Sequence, residues 1–443
     1  MPHLMWGNVD CVELASIYGT PLYVMDEAVI RSRCAEVRES FLDKWPDTVA
    51  CYASKAFLTT TMARIIEQEG LGLDVVSDGE LYTALAAQFP ASRIVMHGSA
   101  KSESELCAAL SHGVGSVVVD GQMELELLGK LAADSGKRQN ILIRVTPGVT
   151  PKTHSHIVTG QKGSKFGLPV EGNILENAVA YALASPSLAL RGFHFHIGSQ
   201  IFENGLHVES VKRVVALIEK LKNILGLETE ELNFGGGFGV GKIPEKAPPS
   251  ISGEPHIPLA FFTDPMMETL TAECGARGLK RPSVTIEPGR WVVAEAGITL
   301  YKVETIKRLS GVTYVGVDGG MTDNPRPSLY QAAYEAVIAN KAGFPVTEKL
   351  EKVTIAGKCC ETGDILIDSI ALPPVERGDV IAVFNTGAYN FSMANNYNRL
   401  TRPAVVLVND GRADEIVARG TPADLLFGDR IPDRMTYTPG GEN

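Results

Sequence analysis

The feature that most constrains this chain is an alternation running from about residue 48 to 290. A short β-branched apolar run ends in polar or glycine-rich residues, and a helix-like stretch follows. The runs are VACYASKA, LGLDVVSDG, RIVMHGSAK, SVVVDG, NILIRVTPG, LRGFHFHIGSQ, ELNFGGGFG and SVTIEPGR, eight in all. Between most of them lie apolar residues at helical spacing, as in ELYTALAAQF, SELCAALSHGV, ELELLGKLAA and VKRVVALIEKLKNIL. Strands that alternate with helices pair in parallel, because each crossover helix returns the chain to the same direction. Eight such units predict an α/β fold, a closed (β/α)8 barrel of the TIM type. An open doubly wound sheet explains less well why polar residues mark the C-terminal end of nearly every run. In a barrel those ends converge on one mouth.

After Arg290 the texture changes to short alternating strands: ITLYKVETIKR, VTYVGVDGG, KVTIAGK, DVIAVFNTGAY and RPAVVLVND. Turn residues separate them, so a β-domain is expected. The early segment TPLYVMD is also strand-like and is expected to complete that domain. The predicted division is a barrel over residues 26–292 and a β-sandwich or β-barrel-like domain made of 1–25 and 293–443. The Pro/Gly-rich stretch 241–258 reads as a loop near the mouth, with a lid as one use for it.

Composition narrows the function classes. A formal net charge of −11 argues against a nucleic-acid surface, which needs clustered Lys and Arg. No apolar run approaches bilayer length, and the start, MPHLMWGNVDCVELAS, has no basic and apolar signal pattern. Seven cysteines at irregular spacing, without a CxxC pair, read as reduced thiols in a cytoplasmic protein and give no metal site.

The reactive residue types lie at the ends of the runs. Lys55, in YASKA, is flanked by small apolar residues. Desolvation there lowers a lysine pKa and suits Schiff-base formation, although a lone strand-end lysine more often reaches out to solvent. Gly235, Gly236 and Gly237 lack Cβ atoms and let backbone N–H groups approach a phosphate, and barrel phosphate sites often use the loops after strands seven and eight. Glu287, in IEPGR, reads equally as an ion-pair partner of Arg290 or as a carboxylate that keeps a pyridine nitrogen protonated. His194 and His196 alternate in FHFHIGS and share one side of their strand, where one of them can stack on a ring or both can be core residues. Cys359-Cys360-Glu361 offers a thiol proton donor beside acids, or simply a structural thiol. Tyr389 sits in a Gly- and Asn-rich turn that can aim a phenol at a pocket.

Taken in order, YASKA, LDVVSDGE, FHFHIGSQI, LNFGGGFG, IEPGR, RPSLY, GKCCETGD and GAYNFSMANNYN resemble the motifs of the alanine-racemase-like barrel family of pyridoxal-phosphate (PLP) decarboxylases. The resemblance covers residues 20–428, nearly the whole chain. It implies PLP on Lys55, Glu287 at the pyridine nitrogen, His196 stacked on the ring and Asp74 near both. Ser199, Gly235 to Gly237 and the EPGR turn with Gly289 and Arg290 are implied as phosphate contacts. Cys360 is implied as the proton donor, entering from the second subunit of a homodimer, and Tyr389 as a contact to cofactor and substrate. The implied reaction removes the D-centre carboxylate of meso-diaminopimelate to give L-lysine, the last step of lysine biosynthesis.

A substrate with a second α-amino-acid group needs a cationic clamp and an anion. Arginine suits the clamp because its planar fork pairs bidentately with a carboxylate. Arg290, Arg326 and Tyr330 match the family's carboxylate contacts, and Glu361 matches its ammonium contact. Alternatives on the same fold are decarboxylation of a related amino acid and a non-catalytic PLP-binding regulatory relative. Two motifs depart from the family: HGSAK (residues 97–101) replaces HGNNK, and CCETGD replaces CESGD.

Overall fold

The computed structural model describes residues 2–149, 164–241, 256–343 and 350–435. Most of the 241–258 loop lies outside the described residues, and the lid reading with it. The chain divides into two compact units. One comprises Asp26–Ile298 and Asn385–Ser392; the other comprises Met1–Met25, Thr299–Phe384 and Met393–Asn443.

The first unit is the expected barrel. Its strands are β1 (Thr48–Ala53), β2 (Gly72–Val75), β3 (Ile94–Met96), β4 (Ser116–Val119), β5 (Gln139–Thr146), β6 (Leu188–His194), β7 (Glu231–Asn233) and β8 (Ser283–Ile286). Each pairs in parallel with the next, and β8 returns to β1 through Val284↔Thr48. All eight runs of the sequence become strands. Parallel strands covered on both faces must be apolar throughout, and Ile141, Leu142 and Ile143 are wholly buried. Each such side chain contributes about 1.5–3 kcal/mol of burial.

The crossover helices follow local rules. Thr59 caps the helix Thr60–Gln68 by accepting from the Met62 N–H at 3.0 Å. That helix buries Met62, Ala63, Ile65 and Ile66, one stripe at helical spacing. Ser102 and Glu105 form a capping box at the start of Glu103–His112. The long helix Asn204–Leu225 stops at Gly226, which takes φ 68°, the left-handed conformation glycine tolerates.

The second unit is built on a sheet ordered Ile365–Leu372, Glu351–Ala356, Val312–Val317, Gly297–Leu309, Leu22–Asp26, Ala404–Asn409, Arg412–Val417. The early strand thus lies inside the sheet. Two short strands, Val380–Val383 and Ala336–Ile338, pair beside it. The core holds Tyr301, Val303, Val315, Ile355, Ile381 and Val383. The strand Ile365–Leu372 is not evident in the sequence, because Asp368 and Ser369 are both exposed and break its alternation. Among the described residues, no helix is long and apolar enough to cross a membrane.

Candidate active site

The barrel mouth gathers most of the reactive residues. Lys55, His196, Ser199, Gly236, Gly237, Glu287, Gly289, Arg290 and Tyr389 line one cavity, with Ala53, Phe238 and Trp291. Lys55 lies in a single 3-10 turn, Ser54–Ala56, directly after β1. Its side chain is open to the cavity, yet deep enough for burial to oppose its charge. The direction expected from desolvation alone is corrected here. Burial lowers the Lys55 pKa, but the charges of Asp74, Tyr389 and Glu287 outweigh it, and the net shift is upward. A run of sequence shows the apolar neighbours and not the carboxylates supplied by other strands.

Glu287 is held by several neighbouring side chains. Its Oε1 accepts from Asn233 Nδ2 at 2.6 Å and lies 2.6 Å from His97 Nε2. Its Oε2 is 3.4 Å from His194 Nε2. Burial opposes the Glu287 charge, but His97 and His194 together more than offset it, so the pKa falls well below the ordinary carboxylate range. The ion pairs described for Glu287 are those with His97 and His194. Burial pushes the His194 pKa down to about 3 against the pull of Glu287, so that ring is neutral. His97, His194 and Glu287 offer three ligand atoms within 4.8 Å, but the 2.6 Å His97–Glu287 contact is hydrogen-bond length and leaves no space for an ion between them.

The glycines are needed for clearance. A Cβ on Gly236 would stand 2.2 Å from the Glu287 carbonyl oxygen, and one on Gly237 2.1 Å from that of Gly198. One on Gly289 would meet the Ala53 Cβ at 2.9 Å. Two of their N–H groups are engaged within the protein: Gly235 donates to Asn233 Oδ1 at 2.9 Å and Gly236 to His196 Nδ1 at 3.3 Å. The second bond makes His196 Nδ1 an acceptor, and burial holds its ring neutral. Arg290 Nη2 donates to Ser199 Oγ at 3.2 Å, and its guanidinium lies 4.6 Å from the Tyr389 ring centre. Tyr389 takes φ 66°, held by its N–H bond to the Ala56 carbonyl at 2.8 Å. Asp74 is buried, with its Oδ1 lacking a hydrogen-bond partner and its pKa raised by that burial.

The remaining candidates belong to the second unit. Arg326 is buried, and its guanidinium sits 5.2 Å from the ring centre of exposed Tyr330, one turn along the short helix Arg326–Tyr330. The GKCCETGD loop folds around buried Asp364, which accepts from the N–H groups of Cys359 at 2.8 Å and Met321 at 2.7 Å. Ser328 ties the helix to this loop by donating to the Gly363 carbonyl at 2.8 Å. Cys359 is buried, its thiol pushed up to about 11 by that burial and by Asp364. Cys360 and Glu361 are exposed, and the Cys360 N–H donates to Asn398 Oδ1 at 2.7 Å.

An amine, a carboxylate held charged, a neutral ring histidine and glycine clearances beside a Ser–Arg pair form one set. It fits a phosphorylated pyridine aldehyde, with Asp74 contributing an unsatisfied buried oxygen. Known proteins agree. Residues 27–294 match the pyridoxal binding domain of the pyridoxal-dependent decarboxylases. The diaminopimelate decarboxylase of Bacillus methanolicus is 46% identical over 418 residues, covering 94% of each chain.

The chain belongs to the diaminopimelate decarboxylase family.

The family's enzyme from Bacillus subtilis is 45% identical over 96% of this chain and 94% of its own. A crystal structure of the M. jannaschii enzyme in co-complex with L-lysine superposes with a TM-score of 0.87 at 35% identity, covering 96% of this chain and 95% of that one. The family consists of pyridoxal-dependent carboxy-lyases. Sequence reasoning missed His97, quoted only as part of a departing motif, and Asn233, which directly precedes the glycine run. Both stand at strand ends, the signal that picked out the others.

Proposed function

We propose that this protein decarboxylates meso-diaminopimelate to L-lysine, with pyridoxal phosphate held covalently through Lys55. The observation that carries the reading is the single cavity joining Lys55, His196, Glu287, Arg290 and Tyr389. When bound, the cofactor supplies an electron sink for the pair left by the departing carboxylate.

The protein's residues do the rest. Lys55 provides the amine. Glu287, held ionised, favours a protonated ring nitrogen; His196, neutral and fixed by Gly236, presents a ring face for stacking. Ser199, Arg290 and the glycine turn hold the phosphate. Arg290, Arg326, Tyr330 and Glu361 read the distal amino-acid group, and Tyr389 touches cofactor and substrate. Cys360 returns a proton to the carbon that loses CO2. An exposed thiol on a braced loop suits that role better than buried Cys359, and the family resemblance assigns it to the active site of a second copy in a homodimer. All seven cysteines are free thiols, in keeping with a cytoplasmic enzyme.

The test is PLP-dependent CO2 release from meso-diaminopimelate, with the L,L isomer, ornithine and lysine as controls. Faster release from ornithine or lysine would replace the substrate. Lys55→Ala should remove the visible absorbance of the covalently held cofactor, and retention of that band at full strength would overturn the assignment.

A further inference from the structure

We infer that His97 is a positioning residue that fixes the Glu287 carboxylate for its work on the cofactor's ring nitrogen. This rests on the proposed cofactor site and goes beyond it, since neither the resemblance nor the motif logic gave His97 a role.

The case begins with one oxygen. Glu287 Oε1 takes two short bonds, from His97 Nε2 and Asn233 Nδ2, both 2.6 Å. Two donors on one oxygen stop the carboxylate from rotating and leave Oε2 turned elsewhere. The Asn233 amide cannot flip, because its Oδ1 already accepts from the Gly235 N–H at 2.9 Å. Against an ionised carboxylate, His97 Nε2 must carry the proton, so the tautomer is set by its partner. His194 stands farther off, its Nε2 3.4 Å from Oε2 against 2.6 Å for His97 on Oε1. It instead packs edge-on against His97, with ring centres 4.7 Å apart at 73°.

The backbone around His97 is built to hold it. The His97 N–H donates to the Val75 carbonyl at 2.7 Å. Gly98 then turns the chain at φ 107°, where a Cβ would stand 2.8 Å from the Val76 carbonyl oxygen. Buried Lys101 pins the turn from behind. Its ammonium donates to the carbonyls of Gly98 at 2.7 Å and Val118 at 2.8 Å, and to Glu124 Oε1 at 2.6 Å. The three residues that HGSAK retains from HGNNK are therefore the ring, the turn and the clamp.

The experiment compares His97→Leu with His97→Gln, whose terminal amide can replace the Nε2 donor. In the leucine variant kcat should fall about 10- to 100-fold, the scale of one lost hydrogen bond to a charged group. KM should stay within about twofold, and PLP should bind the apo protein about tenfold more weakly in a fluorescence titration. The glutamine variant should regain most of both. Unchanged kcat and PLP affinity in His97→Leu would overturn the inference. So would a glutamine variant as impaired as the leucine one, with the same fall in apo-protein melting temperature, because packing alone would then explain the loss. If the wild type itself does not bind PLP on Lys55, the cofactor reading fails first, and that result is visible before any His97 variant is made.

Discussion

The barrel mouth and the GKCCETGD loop hold reactive groups in opposite ways. At the mouth, residues from strand ends between Lys55 and Arg290 meet, and their side chains bond to one another, as in His97–Glu287–Asn233. Around the loop, the hydrogen bonds fix backbone instead: Cys359 and Met321 N–H to Asp364, Cys360 N–H to Asn398. The thiol of Cys360 and the carboxylate of Glu361 are left exposed. The first arrangement sets protonation states by excluding water and choosing neighbours. The second fixes the backbone and leaves the Cys360 and Glu361 side chains to solvent.

Cysteine substitution tests this contrast with the largest effect. Cys360→Ala should lower kcat about 10²- to 10⁴-fold, the scale of a lost proton donor. Cys359→Ala should leave kcat nearly intact and lower stability by about 1 kcal/mol, as for a small buried side chain. Deuterium incorporation at the product carbon, measured in D2O, reports the same step directly. Equal losses from both variants would mean that burial does not separate the two thiols.

Arg326 should show the next largest effect. It is buried beside Tyr330, and if it clamps the distal carboxylate as proposed, Arg326→Ala removes a contact that water cannot replace. KM for meso-diaminopimelate should rise about 10- to 100-fold, as for one charge-assisted contact. Binding of PLP should be unchanged, because Arg326 belongs to the second unit. An unchanged KM would remove it from the substrate pocket.

A third test asks whether burial or neighbours dominate a carboxylate at the mouth. Glu80 accepts from the Val76 N–H at 2.7 Å, yet burial pushes its pKa up to about 7 from an ordinary 4.5. A carboxyl raised on folding takes up a proton. Its contribution to stability is full below about pH 4.5 and is lost as pH rises through about 7. Glu80→Gln should flatten the fall in melting temperature across that window. If the slope is unchanged, Glu80 is ionised at its ordinary pKa.

The same contrast explains what the sequence made legible. Eight strands could be counted because each parallel strand is a continuous apolar run with a polar end. The residues at those ends could be nominated because a barrel sends them to one mouth. Their pairing could not: His97 and Glu287 are 190 positions apart, and only the closure of β8 on β1 and the turn after β3 bring them together. The upward shift of Lys55 was hidden for the same reason, since Asp74 and Glu287 arrive from other strands. The loop was easier to place as a motif, yet its sequence does not say which cysteine is buried. That choice is made by Asp364, five residues beyond Cys359, folding back on the Cys359 N–H.

The smallest expected effect lies at the motif departure. Ala100 takes φ 55°, the left-handed region that L-residues with a plain Cβ disfavour. The family commonly has asparagine there, which tolerates that region better because its short amide bonds locally. The departure is therefore a local strain and leaves the His97 turn and the Lys101 clamp in place. Ala100→Gly should relieve it and raise stability by about 1 kcal/mol, and Ala100→Asn by somewhat less. Neither should alter kcat, since the residue is exposed and its side chain is a single methyl group. A melting temperature unchanged by glycine would show that the strain is offset in the unfolded chain, where glycine has more freedom to lose. A changed kcat would show that the turn transmits to His97, and the boundary between backbone-held and side-chain-held chemistry would then run through the barrel mouth itself.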